Sequence, residues 1–285
     1  AREAKVSAVA KKRGADCFVI DAEAEYEGNY SGADKYIRKL RGLVGKKFPL
    51  SLSTFPYTHY HPAFPYSVFL GPKAATDNLP QVYWDTIGDS VREAIDITWL
   101  QNDLYDRPIY PVGQTYLNPR SKELTTFRRY MQNYGVAPSW WSWQETNKSE
   151  WKVLGRSLPG PYPNYREVTQ HPVAKRGSRG DQVVWLQQHL NGAGNKVRVS
   201  GIFGKKTYQA LKAFQGKREL EADGVAGTRT WNRLLKVTPV RVRWSGSKSR
   251  KLRARIAGTL PQRAPLSADL PARRNELSGG RTGAG

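Results

Sequence analysis

The sequence predicts an α/β domain built on a parallel sheet, then a small all-α module of three helices, then a disordered basic tail. Three observations carry this. Five apolar strand-like runs alternate with helical patterns over the first 155 residues, the order expected of parallel strands joined by crossover helices. Each run turns polar at its carboxyl end. From residue 173 to 236 the apolar spacing becomes purely helical.

The elements follow in order. Residues 1–13 read as the end of a helix. "FVIDAEAEY" (18–26) is a strand that opens apolar and then carries Asp21, Glu23 and Glu25 at alternate positions, hence on one face. "GADKYIRKLRGLVG" (32–45) is a helix with Tyr36, Ile37, Leu40 and Val44 at helical spacing. "FPLSLSTFPY" (48–57) is a second strand, and 58–80 a Pro- and aromatic-rich loop. "QVYWDTI" (81–87) is a third strand, 90–103 a helix, and "RPIYPVGQTYL" (107–117) a fourth strand. "SKELTTFRRYMQNYG" (121–135) is a helix with a Ser cap and a closing Gly. "PSWWSWQE" (138–145) is the fifth strand. In parallel folds the chemistry sits at the carboxyl ends of strands. Five polar ends therefore suggest one shared mouth: Asp21, Glu23 and Glu25, then Tyr57, Asp85, Gln114 with Tyr116, and Gln144 with Glu145.

The domain boundaries read as 1–156 for the α/β part, 157–172 for a Pro-rich, semi-rigid linker, 173–236 for the three-helix module and 237–285 for the tail. The tail, rich in Arg, Ser, Gly and Pro, lacks sustained periodicity. Within the module "SGIFGKKTYQAL" (200–211) repeats as "DGVAGTRTWNRL" (223–234). Glycines serve a tight turn in each copy, and Thr207 and Thr230 are placed to cap the following helix.

The net charge of +22 is uneven. Lys and Arg number 22 against 18 Asp and Glu in residues 1–172, 13 against 4 in 173–236, and 11 against 2 beyond. The basic carboxyl-terminal part implies an anionic partner surface. No recognised nucleic-acid motif accompanies the charge, so nucleic acid is not the expected partner. No run of 18 apolar residues exists, so no membrane span is expected. The single cysteine, Cys17, permits no internal disulfide. The chain opens without Met and without a signal sequence, and we expect its natural start to lie upstream.

Residues 175–235 resemble the small three-helix peptidoglycan-binding domain found in many wall hydrolases, through "KRGSRGDQVVWLQQHLN", "VSGIFGKKTYQALKAFQ" and "ADGVAGTRTWNRLL". The resemblance implies bacterial peptidoglycan, or a related wall polysaccharide, as the partner and a secreted, wall-associated protein. Ser200 stands where the family usually has Asp; the second copy keeps Asp223. Residues 1–155, through "FVIDAEAEY", "LPQVYW" and "PSWWSWQE", resemble the second part of a (β/α)₈ TIM-barrel glycoside hydrolase of the family 25 lysozyme or family 18 chitinase kind. That resemblance implies Glu23 as general acid, Asp21 as its positioning or stabilising partner, and Tyr83 at the sugar site. Five βα units cannot close an eight-stranded barrel. Either upstream strands are absent or the sheet is open, and absent strands are the expectation.

Glycoside hydrolysis needs a proton donor and a stabilising negative charge. Carboxylates two residues apart on a strand have Cα atoms roughly 6.6 Å apart, which decides neither retention nor inversion. Their crowding raises one pKa, useful for an acid at neutral pH. The expected site is thus Asp21 and Glu23 as catalytic pair, Glu25 on the rim, and Tyr57, Tyr83, Asp85, Gln114, Tyr116, Trp141, Trp143 and Glu145 lining it. Trp141, Trp143 and Glu145 share one face of the fifth strand. Gln114 reads equally as a sugar contact or a buried structural amide, and salt bridging is the alternative for the acids. His59 and His61 in "THYHP" lack a third ligand, so no metal is expected. No cofactor is expected either, since no Gly-rich phosphate loop appears. A wall protein that binds without turnover is the rival to the hydrolase.

Overall fold

A computed structural model describes residues 2–256. The elements run α1 (Arg2–Lys12), β1 (Phe18–Asp21), α2 (Tyr30–Val44), β2 (Leu50–Thr54), α3 (Tyr66–Phe69), β3 (Asp77–Val82), α4 (Trp84–Ile87), α5 (Val91–Asn102), β4 (Val112–Gln114), α6 (Ser121–Asn133), β5 (Ser139–Trp141) and α7 (Lys148–Leu154). Helices α8 (Asp181–Gly192), α9 (Lys205–Lys217), α10 (Thr228–Leu234) and α11 (Gly246–Ile256) follow. The five strands form one parallel sheet in sequential order, curled as a half-barrel.

Register fixes the two faces of the sheet. Ile20 pairs with Leu52, and both point outward beneath the helices, where Ile37 and Leu40 of α2 are also buried. Asp21 pairs with Ser53 and Ser53 with Leu79, which puts Val19, Asp21, Ser53, Leu79 and Gln81 on the concave face. Helix α2 starts where the Asn29 side chain accepts from the Gly32 N–H at 3.0 Å, and α5 where Ser90 and Glu93 form a reciprocal capping box.

Every strand is shorter than the sequence pattern suggests. The first ends at Asp21: the N–H of the buried Ala22 makes a last bond to the Ser53 carbonyl at 3.1 Å, and residues Ala24–Tyr26 then form a 3₁₀ turn. The third begins earlier, at Asp77, and the run expected to finish it is the helix α4. Pro80, which cannot donate a ladder bond, masks this strand in the sequence. It is accommodated because the segment leading into β4 bridges β3 at Asn78, through Ile109, and next at Gln81 and Val82, through Val112 and Gly113, leaving Pro80 in the gap between. Helix α6 is preceded by Arg120, whose N–H donates to Glu123 Oε2 at 2.8 Å, so Ser121 is already inside the helix.

The segment 157–172 contains no helix or strand and lies along α6. The Tyr162 and Tyr165 rings pack on Tyr130, and Tyr165 donates to Asp96 at 2.7 Å. In the module, Gly204 and Gly227 occupy the cap positions of α9 and α10. Thr207 and Thr230 instead receive the amides of two buried glutamines, Gln187 at 2.9 Å and Gln215 at 3.2 Å. Each glutamine also binds the turn before the helix, at Gly201 and Gly224. The repeat in the sequence is therefore a repeated glutamine latch.

The module is docked on the α/β domain rather than loosely attached to it, and one apolar cluster spans both. Asp181, the first residue of α8, is 2% exposed and accepts four hydrogen bonds: from Tyr30 Oη (2.8 Å), Tyr105 Oη (2.9 Å), and the Ser67 N–H (2.7 Å) and Oγ (2.6 Å). Its own N–H donates to the Pro62 carbonyl at 2.7 Å. Trp185 Nε1 donates to the Leu104 carbonyl at 2.7 Å.

The region expected to be a disordered tail is ordered through Ile256. Helix α11 wedges between α2 and the module; residues 257–285 lie outside the described residues. The Trp244 ring packs on Tyr30 at 4.6 Å and the Trp244 N–H donates to the buried Asp34 carboxylate. Ser249 Oγ donates to the Gly28 carbonyl at 2.7 Å. Two glycines let the helix come this close. Gly28 (φ +72°) faces Arg253 and Gly201 (φ +66°) faces Leu252, and a Cβ at either would stand 2.6 Å or less from those side chains.

Burial pushes the Asp181 carboxyl up to about 6, against the four donors that favour its charged form. The folded chain thus holds this proton more tightly than the unfolded one, and stability from this group falls as pH rises from about 4 to about 6. In Asp181→Asn, an amide N–H₂ meets donors, which costs about 1–3 kcal/mol at neutral pH. Denaturant titrations are expected to show the gap between wild type and Asp181→Asn shrinking from pH 4 to 6 and constant from 6.5 to 8.

Candidate functional site

The concave face and the loops above the carboxyl ends of the strands enclose a cleft of about 1080 Å³. Asp21, Glu23, Tyr57, Tyr83 and Trp141 line it, as the sequence suggests. The structure groups the remaining candidates elsewhere, for reasons that trace to the short strands.

Asp21 ends β1 with its carboxylate in the cleft, where Gln81 Nε2 donates to Oδ1 at 3.0 Å and to Ser53 Oγ at 3.2 Å. Partial burial holds its pKa above the usual carboxylate range, the charges of Glu23 and Glu25 add to the rise, and the Gln81 bond opposes it. Glu23 is half-buried and sits beyond the strand, at the turn into the 3₁₀ segment. Glu25 does not share a strand face with them. Its carboxylate folds back to accept from the Glu23 N–H at 3.2 and 3.3 Å. It shapes the turn that presents Glu23 and lies outside the cleft lining.

Tyr57 is 1% exposed and its hydroxyl is committed to Asp89 Oδ2 at 2.6 Å; burial and that bond push its pKa up. Tyr83 offers a half-buried ring, braced edge-on by Tyr116 at 5.2 Å. Burial first, then Tyr116 and Asp21, raise its pKa. Tyr116 itself stands behind Tyr83, with its hydroxyl 2.7 Å from Thr86 Oγ1.

Gln114 is fully buried and exchanges two bonds with Asp85, donating to Oδ2 and accepting from the backbone N–H, each at 2.9 Å. It is a structural amide that ties β4 to α4. Asp85 is thereby turned away from the cleft into a separate hollow of about 590 Å³ beside Arg120 and Glu123. Because β5 stops at Trp141, Trp143 and Glu145 do not continue its face. Trp143 is 75% exposed and packs edge-on against Trp151 at 4.7 Å, while Glu145 accepts from Ser142 Oγ. Trp141, 56% exposed, is the tryptophan that presents a free ring to the cleft.

Gln81, Ser53 and His61 are among the lining residues that the sequence reading did not place in the site. Gln81 and Ser53 share the register of Asp21, a signal available only once the strands are paired. His61 lines the cleft, stacks on Phe55 at 3.4 Å, and places Nδ1 2.9 Å from Glu27 Oε1. Its place in "THYHP" draws attention to metal binding, yet among the described residues no group of three or more His, Cys, Asp or Glu is positioned to hold a metal ion. No described helix is long and apolar enough to cross a membrane.

Two carboxylates at the β1 edge of the cleft and an exposed indole at its β5 edge are groups that can serve as a proton donor, a negative charge and a stacking surface for a sugar ring.

Residues 179–234 match the PG_binding_1 family of peptidoglycan binding domains, so the docked three-helix module is a peptidoglycan-binding domain. Over 73 residues, 25% of this chain, the sequence is 41% identical to a spore cortex-lytic enzyme of Bacillus cereus, covering 28% of that protein. A spore cortex-lytic enzyme of Oceanobacillus iheyensis is 36% identical over 67 residues, 23% of this chain and 24% of that protein. The matches thus span about a quarter of the length of these curated relatives. Among solved structures, the SleB N-terminal domain is 42% identical, covering 23% of this chain and 90% of that one, with a TM-score of 0.22. A peptidoglycan-binding protein from Clostridioides difficile is 36% identical, covering 26% and 46%, with a TM-score of 0.24.

The electrostatics of the pair are open to test by carboxyl titration in NMR. Glu23→Gln removes a neighbouring charge and is expected to lower the Asp21 pKa. Gln81→Ala removes a donor to the carboxylate and is expected to raise it.

Proposed function

We propose that this is a cell-wall-associated, extracellular bacterial protein that holds peptidoglycan through residues 179–234 and hydrolyses a glycosidic bond in it, or in a related wall polysaccharide, at the half-barrel cleft. The observation that carries this reading is the placement of Asp21 and Glu23 in one cleft with Trp141, on the body to which the peptidoglycan-binding domain is fixed. Glu23 is the proton donor to the leaving oxygen. Asp21, oriented by Gln81, supplies the negative charge that stabilises an oxocarbenium-like state. Trp141 stacks on a sugar face, and Tyr83 closes the opposite side. The spore cortex-lytic enzymes that share the binding domain are consistent with a wall-degrading role. The α/β half is read as the later part of a (β/α)₈ glycoside-hydrolase barrel.

A second reading, wall binding without turnover, draws on one feature. Asp21 ends β1 and Glu23 follows in the turn just beyond it; β1 pairs only with β2 among the described residues, so the cleft is open along that side. An open side lets water reach the pair and weakens the tuning of their protonation.

Reducing-sugar or muropeptide release from purified sacculi separates the two. The hydrolase reading expects release by wild type and a loss of about 10²-fold or more in Glu23→Gln, with sacculus binding unchanged. Equal release by both proteins rejects the role of Glu23. Retained binding with no release by either supports the binding protein. Trp141→Ala is expected to raise KM more than it lowers kcat, read from initial rates.

A further inference from the structure

Helix α11 and the first repeat of the peptidoglycan-binding domain enclose a crevice of about 250 Å³, remote from the cleft. Its charge is one-sided. Arg198 comes from the module, and Lys248, Lys251 and Arg255 from α11; among the described residues no Asp or Glu lines the space. Among the described residues none of the four is paired with a carboxylate. Arg198, Lys248 and Lys251 are exposed and Arg255 is half-buried, so solvent screens part of their repulsion and an entering anion would relieve the rest.

The internal repeat supplies a second observation. Ser200 and Asp223 are equivalent positions in the two copies, and both serve the glutamine latch: Gln187 Nε2 lies 3.3 Å from Ser200 Oγ, and Gln215 Nε2 lies 2.8 Å from Asp223 Oδ1. The latch therefore tolerates either residue. Only the copy with the uncharged residue lines the cationic crevice. An Asp at position 200 would put a fixed negative charge where an incoming anion needs none.

We propose that this crevice is a binding site for phosphodiester groups of an anionic wall polymer. Two guanidinium forks and two ammonium groups suit phosphate oxygens. The volume is large enough for one phosphate with its flanking atoms. A nucleic acid presents the same phosphodiester, but single-strand binders add exposed aromatic rings on which bases stack. The one aromatic residue here, Trp244, is 4% exposed.

The test uses the full chain and a synthetic poly(glycerol phosphate) oligomer, which keeps it separate from glycan binding and cleavage. Calorimetry or fluorescence anisotropy is expected to show salt-dependent binding. Lys251→Gln with Arg255→Gln should weaken it about tenfold and reduce the slope of log K against log salt. Ser200→Asp should weaken it severalfold with an unchanged melting temperature. The control Lys205→Gln with Lys206→Gln, on α9 outside the crevice, should change little. The proposal is overturned if the control weakens binding as much as the crevice variants do, since the charge would then act diffusely. It is overturned equally if the oligomer does not bind. A dT oligonucleotide that binds more tightly, and loses affinity in the same crevice variants, would replace the wall polymer with nucleic acid.

Discussion

A single buried carboxylate organises the relation between the two halves of this protein. Among the described residues no cation is paired with Asp181, and its charge is carried by four neutral donors from Tyr30, Ser67 and Tyr105. Those donors come from α2, from α3 and from the turn after α5, so one side chain gathers three separate elements of the α/β domain. A buried ion is costly unless its lone pairs are all used. Only the docked arrangement uses them all, and this gives the interface a unique geometry that apolar contact alone would leave adjustable. The surrounding contacts are consistent with this: Trp185 beside Leu104, Pro62 against the start of α8, and α11 closing the remaining side.

Most elements were legible in the sequence because helical periodicity and the alternation of strand and helix are local signals. The parallel sheet, α2, α5, α6 and the three module helices fall where the pattern puts them. The strand ends did not, because they depend on pairing. An apolar-then-acidic run looks like one long strand, whereas the ladder with β2 ends at the bond from the Ala22 N–H to the Ser53 carbonyl, and the chain then turns into the 3₁₀ segment. Pro80 conceals β3 for the opposite reason: a proline is excluded from a strand by rule, and here a gap in the neighbouring chain admits it.

The candidate site was half legible for the same reason. Asp21, Glu23, Tyr57, Tyr83 and Trp141 stand close to true strand ends and reach the cleft. Asp85, Trp143 and Glu145 were placed there by extrapolating strands that stop short; Gln114 does end β4, but its buried amide is spent on Asp85. Gln81 and Ser53 were overlooked because a Gln or a Ser gains meaning only from what pairs beside it. The docking of α11 was invisible in a segment whose composition reads as a solvated tail, because its anchors are a few residues, Trp244, Ser249 and Leu252, whose partners lie far away in the chain.

The loop between β2 and α3 has two neighbours at once. His61 looks into the cleft while the next residue, Pro62, meets the start of the peptidoglycan-binding domain. On the function proposed above, a wall strand held by that domain would meet the cleft at a set offset and angle, like a workpiece clamped beside a tool. Tethered enzymes search a volume around their anchor; a clamped one addresses a single register. Such geometry favours positions along a polymer at a constant spacing from the point of attachment, over whatever bond happens to be nearest.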